Sequence, residues 1–117
     1  MSKRSVLIVD DHQLIRDTLE TVLVKEGFTV RSCSCGKAGL ELAKKNDFGI
    51  FLIDYRMPDM NGDKVTRVLR TWYPEAIIIG FSIESRERQF LEAGADKYID
   101  KGQLDEKLVP YLNERLR

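Results

Sequence analysis

The chain has no surplus of charge: nineteen Lys and Arg residues meet nineteen Asp and Glu residues in 117 positions, for a formal net charge of zero. A domain that held nucleic acid or an anionic membrane through its overall field would need a basic excess, so neither is expected as a direct partner. Cysteine is scarce, with only Cys33 and Cys35, and His12 is the single histidine. One C-x-C pair without a second Cys or His pair completes no tetrahedral zinc site and makes no disulfide scaffold. The two thiols therefore read as small half-buried side chains. No apolar run approaches the ~18 residues of a membrane span, and Met1-Ser2-Lys3-Arg4 leads straight into a short strand, so a cytoplasmic chain is expected. The length predicts one domain over residues 1–117, enough to close a core without staples.

What the chain does have is acid at the ends of apolar runs. Val6-Leu7-Ile8-Val9 runs into Asp10-Asp11, and Ile50-Phe51-Leu52-Ile53 runs into Asp54. Such runs read as strands buried on both faces of a parallel sheet. Further strands are expected at Phe28–Cys33, Ala76–Phe81 and Lys97–Asp100, and the first is expected to start near Ser5. Between them, Leu14, Ile15, Leu19, Val22 and Leu23 mark a helix stopped by Gly27, and Ala38, Leu42 and Ala43 a shorter one ending near Asn46. Val65, Val68, Leu69 and Trp72 mark a third helix, closed by Tyr73-Pro74, and a brief fourth runs from about Ser85 to Gly94. Leu104, Leu108, Leu112 and Leu116 form one stripe of a C-terminal helix, in which Pro110 predicts a kink or a late start. This alternation implies an α/β fold: a flavodoxin-like (βα)5 doubly wound parallel sheet of five strands in the order 2-1-3-4-5.

Ligands of such folds sit beyond the carboxyl ends of the strands where the order reverses, and the first and third strands flank that point. Those two strands end in aspartate. Two unit charges ~4 Å apart repel by ~4 kcal/mol at an effective dielectric near 20, so Asp10, Asp11 and Asp54 together require a proton or a cation. Hard oxygen donors favour Mg2+, which accepts a phosphate oxygen as a further ligand; His12 reads as an exposed residue at a helix start. Asp11 is also placed to cap that helix. Ser82 after the fourth strand offers a hydroxyl donor, and Lys101 after the fifth a cation.

Val9-Asp10-Asp11, Asp54 followed by Met57-Pro58 and Asn61-Gly62, then Ser82, then Ala93-Gly94-Ala95 with Tyr98 and Lys101 span almost the whole chain. In this order they resemble the response-regulator receiver domain, the phosphoacceptor module of two-component signalling. The resemblance implies that Asp54 takes a phosphoryl group from a histidine kinase or phosphotransfer protein, or from a small acyl phosphate, as an aspartyl phosphate. It implies that Asp10, Asp11, Asp54 and the backbone carbonyl of Arg56 hold Mg2+. Lys101 would pair with Asp54 and then with the phosphoryl group, Ser82 would move to hydrogen-bond that group, and Tyr98 would turn inward as it does so. Asp54, Ser82 and Lys101 would thus run a switch that promotes its own phosphorylation and dephosphorylation, rather than an enzyme with a separate substrate. An unknown output domain or target protein, and a phosphorylation-dependent homodimer, are the partners such a switch implies.

Other classes fit less well. A phosphatase with a strand-end aspartate carries a second acid two residues on, where Arg56 stands, and Asp10-Asp11-His12 replaces the Gly-rich turn of a dinucleotide site. A phosphorylation-independent interaction module stays open. Several features depart from the usual receiver pattern. Ile83 stands where a small residue is common and is expected to hinder small donors and water; Gly102 replaces a proline, predicting a trans bond after Lys101. The stretch from Ser82 to Lys101 is about one turn short, and Arg56 and Glu84, each two residues past a site residue, read either as an ion pair across the pocket mouth or as two solvated charges. Asp47-Phe48-Gly49 spells a kinase magnesium triplet but reads as a turn into the third strand.

Overall fold

The computed structural model describes residues 2–117; Met1, with which the expected domain begins, lies outside the described residues. Strands β1 (Ser2–Val9), β2 (Thr29–Cys33), β3 (Phe48–Asp54), β4 (Ile77–Ser82) and β5 (Lys97–Asp100) alternate with helices α1 (Gln13–Lys25), α2 (Gly36–Lys45), α3 (Gly62–Trp72), α4 (Glu87–Ala93) and α5 (Leu104–Arg115). The strands are parallel in the order β2-β1-β3-β4-β5, the flavodoxin-like order expected.

Residue alternation along the strands builds two cores. Leu7, Val9, Phe51, Ile53, Ile78 and Tyr98 share one with Val65 and Leu69 of α3 and Phe90 of α4. Val6, Ile8, Ile50, Leu52, Ile79, Phe81 and Ile99 share the other with Leu19 and Leu23 of α1 and Leu104, Leu108 and Leu112 of α5. Central β3 is buried at all seven positions, which is why its sequence shows no alternation.

The apolar runs mark only the buried parts of the strands. β1 begins at Ser2 rather than Ser5, through exposed Lys3 and Arg4, and Arg4 lies over the Phe28 ring, 4.1 Å from its centroid. β3 begins at Phe48, so Phe48-Gly49 of the triplet is strand rather than turn. On α1 the residues turned to the sheet are Ile15, Leu19 and Leu23, four apart, whereas Leu14 is 75% exposed. Pro110 sits inside α5, which starts without delay after a 3-10 turn at Lys101–Gln103. Both Pro110 and Glu106, whose carbonyl loses its i+4 donor, are exposed, so water can satisfy the freed group. Gly27 (φ 90°) and Gly94 (φ 108°) end α1 and α4 in the left-handed region, as expected of glycine. No helix among the described residues is long and apolar enough to cross a membrane.

The α3 side of the sheet is tied by Arg70. Its guanidinium donates to the carbonyls of Gly94 (2.8 Å), Pro74 (3.0 Å) and Ala76 (2.7 Å) and to Asp96 Oδ2 (2.7 Å). The same Asp96 oxygen accepts the Ile78 N–H at 2.8 Å, so one fork joins α3, the start of β4 and the α4–β5 turn. Arg70→Ala is expected to lower the unfolding free energy by about 2–3 kcal/mol, given ~1.5–3 kcal/mol for a hydrogen bond to a charged group. Urea denaturation measures this, and Arg70→Lys, lacking the planar fork, should recover only part of the loss.

Candidate functional site

The sheet register sets the site. Val9 pairs with Ile53, so the next residues, Asp10 and Asp54, leave neighbouring strands side by side. Asp54 in turn pairs with Phe81 and Ser82 with Asp100, which sets Ser82 and Lys101 on the same rim. Asp10 is wholly buried and Asp54 nearly so. Between them stands Lys101, its side chain 9% exposed, with Nζ 3.2 Å from Asp10 Oδ2 and 3.3 Å from Asp54 Oδ1. The ammonium also lies 5.5 Å from the centroid of the Phe81 ring.

Asp10 is fixed through its backbone as well. Its N–H donates to the Cys33 carbonyl (3.1 Å), and its own carbonyl accepts from Arg16 Nη1 (2.8 Å). Its Oδ1 accepts the His12 N–H at 2.9 Å, so it is Asp10 rather than Asp11 that receives a backbone donor at the start of α1. His12 is 61% exposed, as expected of a helix start, yet its Nδ1 lies 3.3 Å from Asp10 Oδ1 and 3.1 Å from Asp11 Oδ1. The sequence reading missed this proximity, although adjacency to the acidic pair was its only available signal.

The loop after Asp54 is held from two sides. The Gly62 N–H donates to the Tyr55 carbonyl at 2.7 Å, and a Cβ on Gly62 would stand 2.1 Å from the Asp54 carbonyl oxygen, so only glycine allows this closure. Asp59 accepts the Gly36 and Lys37 N–H groups (3.0 and 2.7 Å), capping α2 from another segment; those donors hold its carboxyl below the usual range.

Asp54, Ser82, Lys101, His12, Arg56 and Ile83 line a cavity of about 180 Å3. Ile83 is 79% exposed at its edge. Arg56 Nη2 lies 3.7 Å from Glu84 Oε2, within ion-pair distance, but both side chains are about 70% exposed and Glu84 is shared with Arg86 at 3.4 Å. Such a pair contributes little on its own. Tyr98 is buried and already turned inward, its single hydroxyl proton shared between the carbonyls of Ser82 and Glu84, both at 3.3 Å. Burial pushes its phenol above the usual value. The bond after Lys101 is trans and α4 has only seven residues, in keeping with Gly102 and the short Ser82–Lys101 stretch. Cys33 and Cys35 are free and half-buried, and burial pushes the Cys33 thiol up to about 11.

A family model described as the response regulator receiver domain matches residues 6–113. The chain belongs to the response regulator receiver domain family. The receiver domain is 34% identical over 116 residues to the cell cycle response regulator CtrA of Brucella ovis, covering 96% of this chain and 50% of that protein. CtrA of Brucella abortus matches to the same extent, so the chain spans about half the length of the curated relatives it matches. Among solved structures, a CheY-like receiver domain protein from Methanospirillum hungatei is 30% identical with a TM-score of 0.85, covering 97% of each chain. The response regulator TrrA of Thermotoga maritima, solved in complex with Mg2+-BeF, is 26% identical with a TM-score of 0.86, covering 95% of this chain and 97% of that one. The family is a signalling module of two-component systems.

The donor set of the receiver domain suits a divalent cation. One ligand atom each from Asp10, Asp11, His12 and Asp54 lies within 4.8 Å of all the others. Asp10 Oδ2 and Asp11 Oδ1 are buried with no hydrogen-bond partner, close to Lys101 and His12 respectively but outside hydrogen-bond geometry. Buried acceptors left in this way are costly until a cation or proton reaches them.

Burial, and after it the charge of Asp10, pushes the Asp54 carboxyl up from 3.8 to about 6, against the pull of Lys101. A raised carboxyl favours the folded state fully below the unfolded value near 3.8 and loses that contribution as pH rises through 6. Asp54→Asn is therefore expected to stabilise the metal-free protein at pH 7–8, by about 1 kcal/mol after allowance for solvent screening. The advantage should vanish toward pH 4. Thermal unfolding of both proteins across this range, with and without Mg2+, measures it; a given Mg2+ concentration should stabilise the wild type more than the variant.

Proposed function

We propose that residues 1–117 form a cytoplasmic receiver domain in which Asp54 accepts a phosphoryl group from the phosphohistidine of a histidine kinase or phosphotransfer protein. The observation that carries this reading is Lys101 Nζ standing between the carboxylates of Asp10 and Asp54 at the rim that also bears Ser82. An Asp54 carboxylate oxygen attacks phosphorus; the phosphorus–nitrogen bond of the donor breaks, its electron pair stays on the imidazole, and a proton from solvent completes the leaving group. Asp10, Asp11, Asp54 and the Arg56 carbonyl would hold Mg2+, which supplies charge neutralisation at the phosphoryl oxygens. Lys101 pairs with the new phosphoryl oxygens in place of the Asp54 carboxylate, and the Ser82 hydroxyl donates to another of them.

The product carries close to two added negative charges, and the two residues drawn to it lie at the ends of β4 and β5. Tyr98, hydrogen-bonded to the Ser82 carbonyl, couples that movement to the surface on the α4 side. The consequence is a changed surface for an output domain, a target protein or a second copy of the domain. Readout by a separate partner, rather than nucleic-acid binding by this domain, accords with its zero net charge.

Incubation with a small acyl phosphate and Mg2+ is expected to add one phosphoryl group by intact-mass analysis, and none to Asp54→Asn. Absence of any adduct on the wild type, even with a trapping phosphoryl mimic, would instead support a module that binds partners without phosphorylation. Ile83, at the edge of the cavity beside Asp54, sets a second expectation. Ile83→Ala should speed both labelling by acyl phosphate and loss of the phosphoryl group several-fold; unchanged rates would clear Ile83 of any steric role.

A further inference from the structure

We propose that His12 is a fourth side-chain ligand of the acidic pocket, so that the site accepts imidazole-favoured divalent cations, Ni2+ and its neighbours in the transition series, in marked preference to Mg2+. The inference rests on the reading above that Asp10, Asp11 and Asp54 hold a divalent cation.

The acidic cluster is bracketed by two basic groups on different oxygens. Lys101 takes Asp10 Oδ2 and Asp54 Oδ1, whereas the His12 imidazole stands against Asp10 Oδ1 and Asp11 Oδ1, at 3.3 and 3.1 Å. The imidazole thus contributes one of four ligand atoms, from Asp10, Asp11, His12 and Asp54, that all lie within 4.8 Å of one another. Two carboxylate oxygens of these residues, Oδ2 of the wholly buried Asp10 and Oδ1 of Asp11, have no hydrogen-bond partner.

His12 is anchored by its backbone as well as by its ring, whose Nδ1 is within hydrogen-bond distance of Asp10 Oδ1 at 3.3 Å. It occupies the N-cap position of α1, yet its side chain makes no capping hydrogen bond, and its backbone N–H donates to Asp10 Oδ1 at 2.9 Å. The backbone therefore anchors the residue to the very carboxylate its ring faces, and the imidazole has no helical task to abandon. Carboxylates and water alone suit Mg2+ and Mn2+, whereas an imidazole nitrogen shifts preference along the transition series toward nickel. The neutral ring nitrogen is the ligand, as in most protein metal sites.

Calorimetric titration of the metal-free protein with Mg2+ alone and with Ni2+ alone tests the selectivity. In His12→Ala the Ni2+ affinity is expected to fall at least ~10-fold while the Mg2+ affinity stays within ~2-fold. Nickel held by the two thiols would not respond to this substitution. Because His12 is the single histidine, the wild-type Mn2+ complex gives an independent readout: pulsed EPR should show nitrogen coupling from one imidazole. Equal Ni2+ affinity in the two proteins, or a Mn2+ complex without nitrogen coupling, overturns the assignment. If Mg2+ binds and His12 has no effect, only this inference falls; if neither Mg2+ nor Mn2+ binds the wild type, the reading of the acidic pocket falls with it.

Discussion

The structure turns on two carboxylates that the sheet forces together. Parallel pairing in register through Val9 and Ile53 leaves Asp10 and Asp54 no choice but to emerge side by side, both buried, at the switch point of the strand order. Lys101, brought from the far edge of the sheet, relieves the repulsion only in part, since burial and Asp10 still hold the Asp54 carboxyl near 6. A site left with residual repulsion binds a cation more readily than one already neutral, and the energy of that repulsion is available to whatever replaces it. The folded scaffold thus stores, in one pair of acids, a repulsion that a proton or a cation relieves.

Strand alternation carries the effect of that pair across the sheet. Asp54 shares its face with Ile50 and Leu52, whereas Tyr55, the next residue, joins the core of the opposite face. There its ring meets Phe90 edge-on with centroids 5.9 Å apart, and Phe90 in turn lies 6.0 Å from Tyr98. Phe90 reaches this position because β4 has no side chain at Gly80, where a Cβ would stand 2.2 Å from the ring. The acidic rim and the inward tyrosine are therefore linked by packed rings as well as by the Ser82 carbonyl. Interiors this dense transmit a displacement instead of absorbing it.

The sheet order and the rim were legible in the sequence because they follow from burial. Runs as apolar as Ile50–Ile53 admit few readings, and acids that end two such runs must meet once the strands lie side by side. Exposed backbone pairing left no such trace: Lys3 and Arg4 extend β1 without any apolar signal. Leu14 misled for the opposite reason, since an apolar residue on a helix need not face the core. The contacts of His12 and Asp59 were hidden more deeply. Each depends on where a loop side chain turns, and that is decided by backbone donors contributed by other segments or by the first residues of α1.

The two sides of the pocket differ in how firmly they are held, and the difference assigns each its task. On the β1–β3 side, Asp10 is gripped by Cys33 and Arg16, Asp59 is clamped to the start of α2, and Gly62 closes the loop onto Tyr55. On the β4 side, Ile83, Glu84 and Ser85 are exposed, and Glu84 is held by one 3.3 Å hydrogen bond from Tyr98 to its carbonyl and by exposed ion pairs of its side chain. Pairs of that kind yield at little cost. On the function proposed, a charge added at Asp54 meets firmly held carboxylates on one side and a yielding segment on the other, which directs the rearrangement toward β4–α4. Firm anchoring around Asp10 and weak contacts after Ser82 are therefore two halves of one arrangement, and both follow from which loops the backbone donors reach.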